Sequence, residues 1–357
     1  MKKKVFLNAY FNNNLGDDLF VKILLERYPS VRFYVCAPSN SLVAFKNYRN
    51  LAKPCKLLFF LDKLFRKLFH NSKSLIVSIL EKKCDLILII GGSIFMDTKN
   101  RKPLYSPNDK VKKKIITIGA NFGPCYSSAF KDAIENELSH NCDVCFRDTF
   151  SYNSFSHLDN VRFAPDIVFS YNLEKVSKIS KTIGISVIDL SNRNKLSSFS
   201  DIYINTISDF CKFSISKGYK IRLYSFCQNE GDDSCATSIA SCLNNQNGLE
   251  IVRYNGNIDA FINDYCSNEF LLSTRFHSIV LGMLSGSSIL PIVYSEKTKH
   301  VLLDLCFDGN EWDLIDGQQI AADKLFDMLI ANTKQLDLSD TKANASAHFA
   351  VLDTFLL

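Results

Sequence analysis

Short, uninterrupted aliphatic runs that recur at helix-length intervals restrict the fold of this chain more than any other feature. In the first half, residues 5–10, 31–37, 85–90, 115–118 and 144–146 read as strands, and a helix over 15–27 follows the first of them. These runs do not alternate apolar with polar residues, so both faces of each strand need cover. A parallel sheet between two helical layers supplies it. The polar stretch 171–181 reads as a hinge, and a second series follows it. Its strands are 183–188, 220–226, 250–254, 270–273 and 289–294, with helices near 202–216, 234–243, 258–265 and 278–284. A chain of 357 residues exceeds one ordinary core, since domains run to roughly 100–200 residues. The expected architecture is therefore α/β: two doubly wound Rossmann-like domains, 1–175 and 176–357, with a cleft between them. The segment after residue 320 is expected to be helical and to pack back across the hinge.

The 46% hydrophobic and 22% charged residues exclude a largely disordered chain. The 12 cysteines are scattered singly, several within apolar runs, and the basic start Met1-Lys2-Lys3-Lys4 leads into an apolar run broken at Asn8. That pattern reads as reduced cytosolic thiols rather than a secreted disulfide framework. Cys142 and Cys145 have metal-site spacing, but no second pair accompanies them, and core packing is the better reading; no metal site is expected. The longest purely aliphatic run, 86–90, is far below the ~20 residues that span a bilayer. A formal charge of +5 is too modest for a nucleic-acid partner.

The charge is unevenly spread. Residues 46–83 hold ten basic side chains and two acidic ones, Asp62 and Glu81, so they contribute 10 − 2 = +8 and the remainder sums to −3. Within this segment Leu57, Leu58, Leu61, Leu64, Phe65, Leu68 and Phe69 recur at helical spacing, with Asp62, Lys63, Arg66, Lys67 and His70 between them. A basic amphipathic helix results. It either docks on the sheet with a solvated basic face or meets an anionic membrane surface as a peripheral element.

Four polar clusters fall where an α/β sheet places its ligands, at the carboxyl ends of strands. Asn12-Asn13-Asn14-Leu15-Gly16-Asp17-Asp18 can present amides and a carboxylate at a helix start, or simply cap it through Asn14 or Asp17. Gly91-Gly92-Ser93-Ile94-Phe95-Met96-Asp97 permits close approach to backbone and offers Asp97 as a base or as a turn residue; it is not a phosphate-binding P-loop. Gly119-Ala120-Asn121-Phe122-Gly123-Pro124 is followed by Arg147-Asp148, a pair that can fork onto an anion or cap a helix. The most specific is Ser273-Thr274-Arg275-Phe276-His277-Ser278. In an extended turn Arg275 and His277 project to one side. A permanent cation beside an imidazole at a helix start suits an anionic substrate that must also receive a proton.

Along the chain stand the Asn-rich Gly-Asp loop, Gly-Gly with Asp97, Gly119 with Gly123-Pro124, Arg147-Asp148, Ala164-Pro165-Asp166, Ser-x-Arg-x-His and Tyr294 with Lys297. This ordered set resembles the polysaccharide pyruvyl transferase family, from about Asn8 to Lys297. The resemblance implies a GT-B-like fold and transfer of the enolpyruvyl unit of phosphoenolpyruvate to sugar hydroxyls, with no cofactor and no metal. It implies His277 as general acid; Arg275, Arg147, Ser273 and Lys297 on the donor; and Asp97 as base or orienting group for the sugar hydroxyl. Asn14, Gly16, Asp17, Gly92 and Asn121 would line the acceptor side. Arg275 and the helix start disfavour the imidazolium, so His277 is expected to be protonated mainly with the anionic donor bound. The acceptor expected is a sugar of capsular or exopolysaccharide assembly, in a lipid-linked form on undecaprenyl diphosphate at the inner face of the plasma membrane. Two other readings stay open: a metal-independent GT-B glycosyltransferase using a nucleotide sugar, and a non-catalytic glycan-binding relative.

Overall fold

In a computed structural model, which describes residues 2–68, 74–98, 101, 113–191, 193, 196–243, 247–317 and 319–357 (side chains of 56 and 68 excepted), the aliphatic runs form two parallel sheets. The chain divides into two units. Unit 1 comprises Met1–Phe11, Asp17–Ser170 and Lys342–Leu357; unit 2 comprises Asn12–Gly16 and Tyr171–Thr341.

Unit 1 runs β1 (Lys4–Ala9), α1 (Leu15–Arg27), β2 (Arg32–Tyr34), β3 (Leu51–Ala52), α2 (Lys56–Leu68), α3 (Leu75–Lys83), β4 (Leu86–Ile90), β5 (Lys114–Ala120), α4 (Ser128–Leu138), β6 (Asp143–Phe146), α5 (Thr149–Phe155) and β7 (Val161–Phe163). Its seven strands lie in the order β3-β2-β1-β4-β5-β6-β7. Every residue of β4 is buried, as expected of a central parallel strand covered on both faces. Phe6, Ile87, Ile89 and Ile115 pack against Ile76 and Leu80 of α3, while Val144 and Phe146 pack against Ile134, Leu138 and Phe155. Cys145 belongs to this interior, where burial pushes its thiol up to about 12.

Unit 2 runs β8 (Ile179–Ser186), α6 (Ser200–Ser216), β9 (Lys220–Ser225), α7 (Asp232–Ser241), β10 (Leu249–Arg253), α8 (Ile258–Cys266), β11 (Asn268–Ser273), α9 (Phe276–Ser285), β12 (Ser288–Val293), α10 (Glu296–Asp304), β13 (Trp312–Asp313) and α11 (Ala322–Ala331). The sheet order is β10-β9-β8-β11-β12-β13, again parallel. Ile183, Ile185, Leu223, Leu272, Leu290 and Ile292 form its core with Phe210, Ile239, Leu325 and Leu329. The stretch read as a hinge is partly strand, because β8 begins at Ile179 with three exposed residues before its buried run.

Past residue 320 the chain does two things. Helix α11 stays in unit 2 through Leu325 and Leu329, whereas α12 (Ser339–Ala345) leads to α13 (Ala350–Leu356) on unit 1. There Arg162 donates to the carbonyls of Ala347 (2.5 Å) and His348 (2.9 Å), and Arg27 and Tyr28 hold Asp353, at 2.6 and 2.7 Å. His348 is fully buried, with Nε2 2.9 Å from the carbonyl of Pro165; burial, aided by the Arg162 charge, lowers its pKa to about 3. It is a structural, neutral histidine.

The basic amphipathic segment differs from expectation in one respect. Asp62, read as part of a polar face, is buried, and its carboxylate accepts hydrogen bonds from the Ser74 hydroxyl (2.9 Å) and the Ile76 amide (3.2 Å). It thereby ties α2 to the start of α3. Phe69 and His70 lie outside the described residues.

Candidate active site

In a parallel sheet all carboxyl ends share one edge, and in unit 2 that edge is built on buried hydroxyls. Ser186, ending β8, accepts the amides of Thr274 (2.8 Å) and Arg275 (3.2 Å) and bonds the Ser278 hydroxyl at 2.5 Å. Thr274 pairs with the Tyr203 hydroxyl (2.9 Å), and Ser273 with that of Tyr265 (2.7 Å). The turn from β11 into α9 is thus fixed from below. Arg275 is the extended residue just before the helix, and His277 falls in its first turn.

Arg275 does not face an open site. Its Nε lies 3.0 Å from Asp232 Oδ2, its Nη2 pairs with Asp232 Oδ1, and its Nη1 lies 2.6 Å from Glu230 Oε2. Burial works against this cation, but Asp232 and Glu230 hold its pKa above the usual guanidinium range. Glu230 also accepts from Arg193 Nη2 (3.1 Å) and Asn14 Nδ2 (3.2 Å). Burial raises its pKa, and these partners, Arg275 foremost, more than reverse that, so it stays ionised. The buried Tyr294, just past β12, has Arg193 and Lys297 each 5.9 Å from its ring centroid. Burial pushes its phenol up, but Lys297, Arg193 and Arg275 outweigh burial and bring it below the ordinary tyrosine value.

The Asn-rich loop belongs to this same cluster. The Leu15 amide donates to the Phe226 carbonyl (3.1 Å), and Asn229 donates to the carbonyl of Asn12 (3.0 Å). Asn14 caps α1 by accepting the Gly16 amide (3.0 Å) while its amide nitrogen holds Glu230. Gly16 is required by close approach: a Cβ there would lie 1.7 Å from His277 Nδ1 and 2.5 Å from Cγ and Cε1. The imidazole therefore rests on the bare backbone of Gly16.

Unit 1 holds the other predicted residues. Arg147 is buried; Nη1 meets Asp166 Oδ2 at 2.9 Å and Nη2 meets Asn121 Oδ1 at 2.7 Å, while a Cβ on Gly92 would lie 2.7–2.8 Å from the guanidinium. Asp166 also accepts the Val168 amide (2.8 Å), which explains the Ala-Pro-Asp sequence as a turn anchored by Arg147. Asp148 caps α5 through the amide (2.7 Å) and hydroxyl (2.9 Å) of Ser151. Asp97 is half-buried and accepts the Tyr126 amide at 2.9 Å. Asp17 lies in the first turn of α1.

A family model described as polysaccharide pyruvyl transferase matches residues 14–296. The chain belongs to that family. No curated protein matches it in sequence. Its fold is also that of a UDP-GlcNAc 2-epimerase from Neisseria meningitidis solved with UDP-GlcNAc (TM-score 0.61, 12% identity, 100% of both chains). A Methanocaldococcus jannaschii UDP-GlcNAc 2-epimerase solved with UDP-GlcNAc and UDP is similar (0.60, 10%, 99% of both). So is an Anabaena protein solved with UDP and glucose (0.56, 13%, 99% of both). At such identities the likeness is one of fold.

In this pyruvyl transferase family member, the structure gathers Asn14, Gly16, Arg275, His277 and Lys297 with Glu230, Asp232, Arg193 and Tyr294 in unit 2. It sets Asn14 and Gly16, expected on the acceptor side, beside His277 and Glu230. Ser273 is sealed in the core with Tyr265, and Arg147 and Asn121 are bonded to each other. Sequence reading missed Arg193, Glu230 and Asp232. Residues 228–233, Gln-Asn-Glu-Gly-Asp-Asp, follow β9 as a polar run at a strand's carboxyl end, the rule that exposed the other clusters.

Proposed function

We propose that this transferase moves the enolpyruvyl unit of phosphoenolpyruvate onto a sugar and closes a pyruvate ketal, in the assembly of a surface polysaccharide. The observation that carries the reading is the unit 2 cluster: an imidazole seated on Gly16, two residues on from Arg275, with Arg193 joined to Arg275 through Glu230 and Lys297 beside the ring of Tyr294. His277 delivers a proton to C3 of the donor. C2 then carries oxocarbenium character, forms two C–O bonds to two sugar hydroxyls, and loses its bond to the phosphate oxygen. One hydroxyl proton balances the new methyl group and the other leaves on phosphate, so one phosphate is released per ketal.

Lys297 and Arg193, the cations beside the Tyr294 ring in the same unit as His277, are assigned to the donor's phosphate and carboxylate, and Arg147 to holding Asp166 and Asn121 in unit 1. Arg275 is a positioning residue in this reading, fixing Glu230 and the start of α9. Incubation with phosphoenolpyruvate and a panel of glycosides tests the proposal through stoichiometric phosphate and ketal. The fold is shared with UDP-GlcNAc 2-epimerases solved with UDP-GlcNAc and does not separate this reading from a nucleotide-sugar glycosyltransferase; release of nucleoside diphosphate from a sugar nucleotide, with no phosphate from phosphoenolpyruvate, would establish that instead.

A further inference from the structure

Helix α2 carries its large apolar side chains on two faces. Leu58 and Phe59 turn inward against the cluster of Phe6, Ile76 and Ile87, where Asp62 is also buried. Leu57 (65% exposed), Phe60 (64%), Leu61 (44%) and Leu64 (43%) face solvent. Their spacing of three, four and seven residues from Leu57 makes them one continuous stripe along the helix. Lys63, Arg66 and Lys67 are exposed on the same helix, and Lys82 and Lys83 at the end of α3. Both acidic residues of 46–83, Asp62 and Glu81, are buried. The outer surface of the segment is therefore positive with an apolar ridge.

We propose that this face of α2 docks in the plane of an anionic lipid bilayer, with Leu57, Phe60, Leu61 and Leu64 entering the headgroup–acyl boundary. Charge complementarity selects this occupant. Lysine is depleted at protein–protein interfaces, whereas Lys/Arg flanking Leu and Phe is the composition of in-plane membrane helices. The exposed Lys63, Arg66 and Lys67 of α2, with Lys82 and Lys83 at the end of α3 and with Asp62 and Glu81 turned inward, meet the negative potential of an anionic leaflet. Among the described residues no helix is long and apolar enough to cross a membrane, so contact through this face is peripheral. A surface acting on lipid-carried sugars gains from such docking, but the inference does not depend on the donor chemistry.

The test is co-sedimentation of the full chain with phosphatidylcholine vesicles and with vesicles that also contain phosphatidylglycerol. Binding is expected to the anionic vesicles only and to weaken with salt. Lys63→Gln with Lys67→Gln should lower the affinity roughly fivefold per charge removed, and Phe60→Ser with Leu64→Ser by at least about tenfold. These positions are exposed, so both variants should keep the wild-type melting temperature and the phosphate release measured with a soluble glycoside. Equal binding to both vesicle types, no binding, or an unaffected Phe60→Ser/Leu64→Ser variant overturns the proposal. So does light scattering that shows a dimer lost in that variant while vesicle binding is absent, which would assign the stripe to a second copy of the chain.

Discussion

Replacing Gly16 with alanine probes the geometry of the proposed acid without touching its chemistry. The added methyl would stand 1.7 Å from His277 Nδ1. Ordinary contact needs about 3.5 Å, so the ring must withdraw by about 1.8 Å. Misplacing a reacting group by ~1 Å costs on the order of 10²-fold in rate, so kcat should fall by about that factor or more. Stability should not follow. Gly16 has no left-handed backbone angle, the clash is with a side chain that can rotate, and alanine is favoured over glycine in a helix by up to ~1 kcal/mol. Phosphate release from phosphoenolpyruvate with an accepted glycoside gives the rate, and thermal unfolding gives the stability. In a His277→Ala background the same substitution should cost almost nothing further, since both act through one ring. A Gly16→Ala enzyme with unchanged kcat, or full additivity with His277→Ala, would refute the role given to His277.

The other predictions concern acid, network and latch. His277→Ala should lower kcat by about 10²–10⁴ while phosphoenolpyruvate binding by calorimetry and the melting temperature persist; retained turnover would remove His277 from the mechanism. Arg275→Met strands the buried carboxylate of Asp232 and should destabilise the protein by about 3–5 kcal/mol in urea unfolding; wild-type stability would contradict its placement as a structural cation. His348, held neutral with a pKa of about 3 against ~6.5 unfolded, makes the unfolded chain bind the extra proton between those values. Its contribution is complete above pH ~6.5 and is lost on acidification at up to ~1.4 kcal/mol per pH unit. His348→Gln should flatten that slope between pH 6 and 4, and an unchanged slope would mean that this imidazole does not carry it.

What could be read from the sequence follows from how locally each feature is determined. The strands β1, β4, β5, β9 and β12 and helix α1 announce themselves as runs whose composition alone demands burial or amphipathic packing. Strands β3, β7 and β13, of two or three residues, take their identity from the strand they pair with and carry no pattern of their own. In the same way, the Arg-x-His turn marks a site by residue type, but nothing in it says that Asp232 and Glu230, more than 40 residues earlier, will claim the guanidinium. Asp62 misleads for a similar reason: its helical position reads as polar surface until Ser74 and Ile76 arrive to bond it. Gly16 was legible as a loop glycine, and only the fold reveals that its missing Cβ is the space His277 occupies.

The central claim is that phosphoenolpyruvate is the donor and a sugar the acceptor. The most direct measurement follows the purified chain with phosphoenolpyruvate and a glycoside panel, quantifying phosphate and analysing the sugar by mass spectrometry and NMR. One phosphate released per pyruvate ketal formed, abolished in His277→Ala, is the result expected. Transfer from a nucleotide sugar with phosphoenolpyruvate left intact would contradict it.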